Sequence, residues 1–287
     1  MTSADIGLPA LRKRCSRLHL SAAGAIGLAA MLFWLAIALL GPLVAPYDVG
    51  AVVDQNVFGP MSARFPLGTD YLGRDMLSRV LLGARYTVGV SLAATVIACS
   101  CGVTLGMLCS VAGGWLDAVL SRALDALNSI PHLMSGLVVV AALGTSLPVL
   151  IGTLAVLYAP GSFRIARALG VNINTMDFVQ VARARGEGFG YIVREEIFPN
   201  IVGPVLADFG LRFVFIVLLL SGLSFLGLGI QPPHADWGAL VRENVSSLAY
   251  GAPAVIAPAV AIATLTIGVN LFIDNLPGRR KSSNEGA

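Results

Sequence analysis

The sequence predicts an all-α integral membrane protein, a bundle of six transmembrane helices. Three observations carry this. Of 287 residues, 56% are hydrophobic and 12% charged, about half the charge of an average soluble domain. The mean hydropathy is +0.81. Five stretches, each long enough to cross a bilayer, hold no Asp, Glu, Lys or Arg. The same figures exclude a disordered chain, a disulfide-stapled secreted domain, a coiled coil and a nucleic-acid-binding protein. Cys15, Cys99, Cys101 and Cys109 show neither metal nor redox spacing and read as small hydrophobes.

The uncharged stretches cover residues 18–47, 86–116, 126–163, 213–235 and 244–273. The first is too long for a signal-peptide core, and Val44-Ala45-Pro46 is a poor cleavage site. The third exceeds one span and carries a breaker, Gly144-Thr-Ser-Leu-Pro148. It reads as a hairpin of two spans whose ends borrow residues such as Ser121 to Asp125. The fourth extends backwards through an apolar segment from Ile197, with Pro199 in its first turn. The spans occupy residues 18–276, with tails at 1–17 and 277–287.

Cationic residues orient the bundle, since Lys and Arg concentrate on the inner side. With the N-terminus inside, Arg12, Lys13, Arg14, Arg17, Arg122, Arg164, Arg167, Arg183, Arg185, Arg194, Arg279, Arg280 and Lys281 fall inside. Arg64, Arg74, Arg79, Arg85 and Arg242 fall outside, and Arg212 lies within a span. Both termini are therefore expected on the inner side.

Two soluble segments stand out. In the outer loop, residues 45–85, Met76, Leu77, Val80, Leu81 and Ala84 recur at helical spacing, with Arg74, Ser78, Arg79 and Arg85 mostly opposite. That pattern predicts an amphipathic helix from Gly73 lying at the interface. In the inner loop, residues 164–200, Asn174 is the expected N-cap of a short helix, with Asp177 three residues on. Phe178, Val181, Ala182 and Arg185 would share one face. Ala182 and Ala184 allow close approach, and Gly186 would stop the helix. A second short helix is expected over residues 189–197. A short helix with small residues, held out on the inner side, suits the groove of a partner.

Catalytic signatures are missing. No Gly-Lys pair exists, so Walker A chemistry is excluded. There is no G-x-S-x-G and no H-E-x-x-H, and His19, His132 and His234 lie in three separate regions. No metal site is expected. The one charged pair inside a span is Asp208 and Arg212, spaced i,i+4. From a helix start at Pro199, Asp208 falls about 14 Å inward, near the middle of a ~30 Å hydrocarbon core. Such charge either compensates itself at a helix contact or lines a solute path.

The segment Phe178-Val-Gln-Val-Ala-Arg-Ala-Arg-Gly186 with Glu196-Ile-Phe-Pro-Asn200 resembles the EAA loop of ABC-importer permeases, E-A-A-x3-G-x9-I-x-L-P. Ala182, Gly186 and Pro199 match. Three further segments narrow the resemblance to the dipeptide/oligopeptide/nickel branch, C-type subunit. They are Leu67-Gly-Thr-Asp-Tyr-Leu-Gly-Arg-Asp-Met-Leu-Ser-Arg79 with Gly83-Ala-Arg85, Leu223-Ser-Phe-Leu-Gly-Leu-Gly229, and Gln231-Pro-Pro-His-Ala-Asp-Trp-Gly238. The resemblance covers nearly the whole chain, residues 18–276.

That resemblance implies the type I ABC-importer permease fold in a bacterial inner membrane. It implies a second, homologous permease subunit, two ABC ATPase subunits that bind ATP and Mg, and an extracytoplasmic binding protein. The chain itself would hold no cofactor. Phe178, Gln180, Val181, Ala182, Arg183, Ala184, Arg185, Gly186 and Pro199 would form the coupling element, and Gly73, Arg74, Asp75, Arg79, Arg85, Gln231, Asp236 and Trp237 the outer-side motifs. The sequence departs from the motif at Gln180-Val181, where Glu-Ala is usual, at Arg185 and at Glu196. The implied activity is ATP-driven import of peptides by alternating access. The alternatives are nickel, an opine or another small solute on the same scaffold, or an ion-coupled secondary transporter, for which no inverted repeat is visible.

Overall fold

A computed structural model describes residues 21–251 and 253–275 of the chain. The expected tails at 1–17 and 277–287 lie outside the described residues. Helix α1 (Ala22–Val44) starts at Ser21, whose Oγ accepts from the Gly24 amide. An extended outer segment follows, with isolated bridges Val52–Arg74 and Thr69–Asp75 as the only strand pairing among the described residues. Helix α2 (Met76–Ala112) is capped by Asp75, whose carboxylate accepts from the Ser78 amide at 2.8 Å. Helices α3 (Gly114–Asn128) and α4 (His132–Leu143) meet at a bend of 87°. Helix α5 (Leu147–Asn174) leads to the short α6 (Asp177–Ala184). Helix α7 (Phe189–Tyr191), a π segment (Ile192–Ile197) and α8 (Phe198–Phe225) form one continuous helical run. Helix α9 (Trp237–Glu243), a 3-10 turn (Val245–Tyr250) and α10 (Ile256–Asp274) complete the order.

Three expectations are corrected. The interfacial helix from Gly73 is the first part of α2, which runs unbroken for 37 residues, about 55 Å. Most of its polar side does not face water: Arg74, Ser78 and Arg79 are buried, and Arg85 alone of the four is exposed. The expected hairpin does turn at Gly144, whose φ is +93°, but its first arm is only 12 residues. That is about 18 Å, too short for a ~30 Å core. The arm cannot borrow residues 121–125 in a straight line, because Pro131 precedes α4 and disfavours helix at the residue before it. Among the described residues five helices are long and apolar enough to cross a membrane, and the bent α3–α4 pair, counted as one broken span, brings the number to six. Finally, Pro199 stands in the first turn of α8 as expected, but no break separates α8 from the short helix before it. The chain is already helical from Phe189, so proline sits inside a continuous run of 37 residues.

Glycines allow the helices to touch backbone to backbone, the usual packing device within a bilayer. A Cβ on Gly102 would lie 2.5 Å from the Ala159 carbonyl, and one on Gly106 2.6 Å from that of Phe163, so α2 and α5 pack without intervening side chains. Gly27 and Gly268 do the same for α1 and α10. The two described ends meet, with Ser21 Oγ donating to Asn275 Oδ1.

Candidate functional site

The expected functional residues fall into three groups at different levels of the bundle. At one end, α6 is held by the C-terminal turn of α5. Asn174 is the last residue of α5 and not the N-cap of α6; Met176 takes that position, with an extended backbone. Asn174 still organises the loop. Its backbone carbonyl accepts from Gln180 Nε2 at 3.1 Å, its Oδ1 accepts from Arg183 Nη2 at 2.6 Å, and its Nδ2 donates to the Ser110 carbonyl at 3.1 Å. Gly186 ends the helix as expected, with φ +83°. The Gly186 amide reaches the Arg183 carbonyl and the Glu187 amide that of Ala182, closing the helix end.

The expected single face of α6 splits in two. Val179 and Ala182 are fully buried, Val179 packing with Ile173, Ile192 and Ile197. Phe178, Gln180, Val181, Arg183, Ala184 and Arg185 are exposed. Ala182 is therefore small because α6 lies close on its own chain, not because a partner approaches it. The exposed residues present an apolar centre, Phe178 and Val181, beside Arg185, which makes no ion pair among the described residues.

In the middle of the bundle, Asp208 and Arg212 do pair. Arg212 Nε donates to Asp208 Oδ1 at 3.1 Å. Ser162 Oγ donates to Asp208 Oδ2 at 2.8 Å, and Cys99 Sγ lies 3.3 Å from Ser162 Oγ. Burial of Asp208 is thus compensated by one cation and one hydroxyl, as an intramembrane charge requires. Ser162 and Cys99 lie 46 and 109 residues from Asp208 in the chain; no periodicity could have found them. Among the described residues no group of three His, Cys, Asp or Glu gathers in a metal-ligating arrangement.

At the other end, the outer loop is tied to α9 by ions. Asp70, fully buried, accepts from Arg74 Nε at 2.7 Å and Arg79 Nη1 at 2.8 Å. Glu243 Oε2 accepts from Arg79 Nη1 at 2.8 Å and Arg74 Nη2 at 3.3 Å. Two cations and two anions cancel there. Asp70 Oδ1 also accepts the Leu72 and Arg74 amides. Gly73, with φ +75°, lets the turn pass Asp54, whose carbonyl would lie 2.0 Å from any Cβ. Trp237 is fully buried, its Nε1 donating to the Val80 carbonyl at 2.9 Å and its amide to Thr87 Oγ1 at 3.0 Å. Asp236 caps α9 through Ala239. Burial pushes its carboxyl up to about 6, and its Oδ2 has no hydrogen-bond partner among the described residues. Gln231 donates to the Gly227 and Gly229 carbonyls. Arg85 stands apart, exposed. The outer motifs form a structural lock. Asp70 and Glu243 are members that sequence reasoning did not single out, although the i,i+4 spacing of Asp70 and Arg74 was a legible signal.

Comparisons with known proteins identify the family. Residues 102–282 match the family described as binding-protein-dependent transport system inner membrane component. The chain is 31% identical to the glutathione transport system permease protein GsiD of Pectobacterium atrosepticum, over 92% of this chain and 87% of that protein. It is 32% identical to the di/tripeptide transport system permease protein DppC of Pseudomonas aeruginosa, over 87% and 84%. It is 29% identical to the dipeptide transport system permease protein DppC of Alkalihalophilus pseudofirmus, over 88% and 83%.

Proposed function

The chain belongs to the family of binding-protein-dependent transport system inner membrane components, and from that premise we propose that it carries short peptides into the cell. It is a multi-pass permease subunit of the type I ABC-importer fold, not an enzyme, and ATP hydrolysis sits in separate subunits of the system. Its solute reaches it from a binding protein. Family membership displaces the ion-coupled alternative. The observation that supports peptides is the similarity, along most of the chain, to permeases named for glutathione, dipeptides and di/tripeptides.

In this reading the chain pairs with a second, homologous permease, and two ATPases dock on the inner side against α6. They hold ATP and Mg; this chain holds neither. The exposed Phe178, Val181, Ala184 and Arg185 supply the docking face, with Gly186 ending the helix so that the chain can turn back to the bundle. Closing of the ATPases pushes on α6. Because the buried Val179 anchors α6 to α5 and to the π segment that runs on into α8, the push reaches the helix that carries Asp208 and Arg212. Both termini lie in the cytoplasm.

The test is reconstitution of the complete transporter in proteoliposomes with its binding protein and ATP. Uptake of labelled di- and tripeptides, lost without ATP, is the expected result. Uptake of nickel or an opine, with no peptide uptake, would overturn the substrate assignment and leave the family intact.

A further inference from the structure

A second group of polar side chains lies beside Arg212. A cleft of about 620 Å³ is lined by Asn128, His132, Gly161, Arg164 and Arg212, drawn from α3, α4, α5 and α8. Arg212 spends only its Nε on Asp208. Its two terminal nitrogens have no hydrogen-bond partner among the described residues, and they occupy the space that a side chain at position 161 would fill. A Cβ there would fall 2.1 Å from Nη1 and 2.3 Å from Nη2. Arg164 makes no ion pair, and the Asn128 side chain no hydrogen bond, among the described residues. His132 stacks on Tyr158 with ring centroids 4.8 Å apart, and its Nε2 is buried without a partner.

Arg212, Arg164 and Asn128 therefore line one cleft with unused donor capacity, Arg164 at its exposed side and Arg212 at its buried side, where an unpaired polar group is costly. Asp208, which pairs with Arg212, is not among the residues that line the cleft, and two arginines are, so the lining is positively charged. Two guanidinium groups and an amide suit a planar anion that accepts several hydrogen bonds. We infer that this cleft is a binding station for the carboxylate of the transported solute, contacted by Arg164, Arg212 and Asn128, with His132 beside them. The inference rests on the peptide reading above: the carboxylate is the C-terminus of the peptide in transit. Gly161 is then the residue that keeps the Arg212 guanidinium in the cleft.

The experiment uses the complete permease–ATPase complex in nanodiscs of phosphatidylcholine, without the binding protein, and radiolabelled dialanine as the probe. Saturable binding is expected, displaced by unlabelled dialanine and about tenfold less well by dialanine amide. Arg164→Gln should weaken binding about tenfold. Gly161→Ala should do the same while preserving the fold, because the atoms nearest to its methyl are the far end of the flexible Arg212 side chain. Equal displacement by acid and amide, or unchanged binding in both variants, would overturn the proposal. Loss of binding when phosphatidylglycerol replaces phosphatidylcholine would also overturn it, assigning the cleft to a lipid headgroup. Dialanine uptake by the wild-type complex in proteoliposomes separates the two claims. Uptake that both variants leave unchanged sinks the cleft alone; absence of any peptide uptake sinks the peptide reading with it.

Discussion

Asp236 is the residue whose burial has the clearest measurable consequence. Its carboxyl titrates at about 6 instead of 3.8, because removal from water penalises the charged form. Between those values the folded state holds a proton that the unfolded state has lost. Stability is then fully present below pH ~4 and falls as pH rises through ~6, by an order of 3 kcal/mol. Thermal unfolding of the detergent-solubilised complex between pH 4 and 7 checks this: Asp236→Asn, which keeps the α9 cap, should flatten that part of the profile relative to wild type. The Asp70 cluster behaves differently. Asp70→Asn leaves Arg74 and Arg79 sharing one carboxylate inside the protein, and breaking a buried pair costs about 3–5 kcal/mol. The same scan should show a large loss of stability, with Arg85→Gln, on an exposed cation, as the neutral comparison.

Among the elements, α6 separates anchoring from docking. Its heptad-like pattern is legible in the sequence, and so is its stop at Gly186. Which side stays free of its own chain is not, because Phe178 and Val181 are as apolar as Val179. Burial decides it: Val179 is 0% exposed and Val181 56%. Val181→Asp should therefore abolish co-purification of the ATPases from gently solubilised membranes while the chain remains folded and inserted. Ala182→Glu should instead lower the amount of folded chain, since the fully buried methyl has no room for a carboxylate. Retention of ATPases by the Val181 variant would remove α6 from the docking role. The α3–α4 pair makes a related point: its total length suits a span, but Pro131 turns that length through 87°.

For the molecule as a whole, the two ends of the bundle carry different equipment. The outer loop and α9 are joined through Asp70, Arg74, Arg79 and Glu243 at one end, and α6 projects at the other. Ser21 and Asn275 meet, which puts the two described ends on one side. Single cysteines in a cysteine-free background test the direction. Leu72→Cys, at a half-exposed position, should react with a membrane-impermeant maleimide on intact cells. Gln180→Cys should react only after the membrane is opened. The reverse pattern would invert the topology and place α6 away from any ATPase.

The sequence by itself determined the class, the membrane, the approximate crossings and the position of the short helix α6, which we propose for coupling. These depend on composition, on runs of apolar residues and on local signals such as Gly186, all of which are properties of neighbours along the chain. It also located Asp208 and Arg212 as a pair, because i,i+4 spacing is local. The tertiary structure alone decided that α2 continues through the expected interface, that Glu243 joins Asp70, that Ser162 and Cys99 stand behind Asp208, and that Asn128, His132 and Arg164 open a cleft beside Arg212. Each of these brings together residues far apart in the chain. Such meetings depend on how helices cross, and the crossings here are set by glycines whose neighbours only the folded bundle reveals.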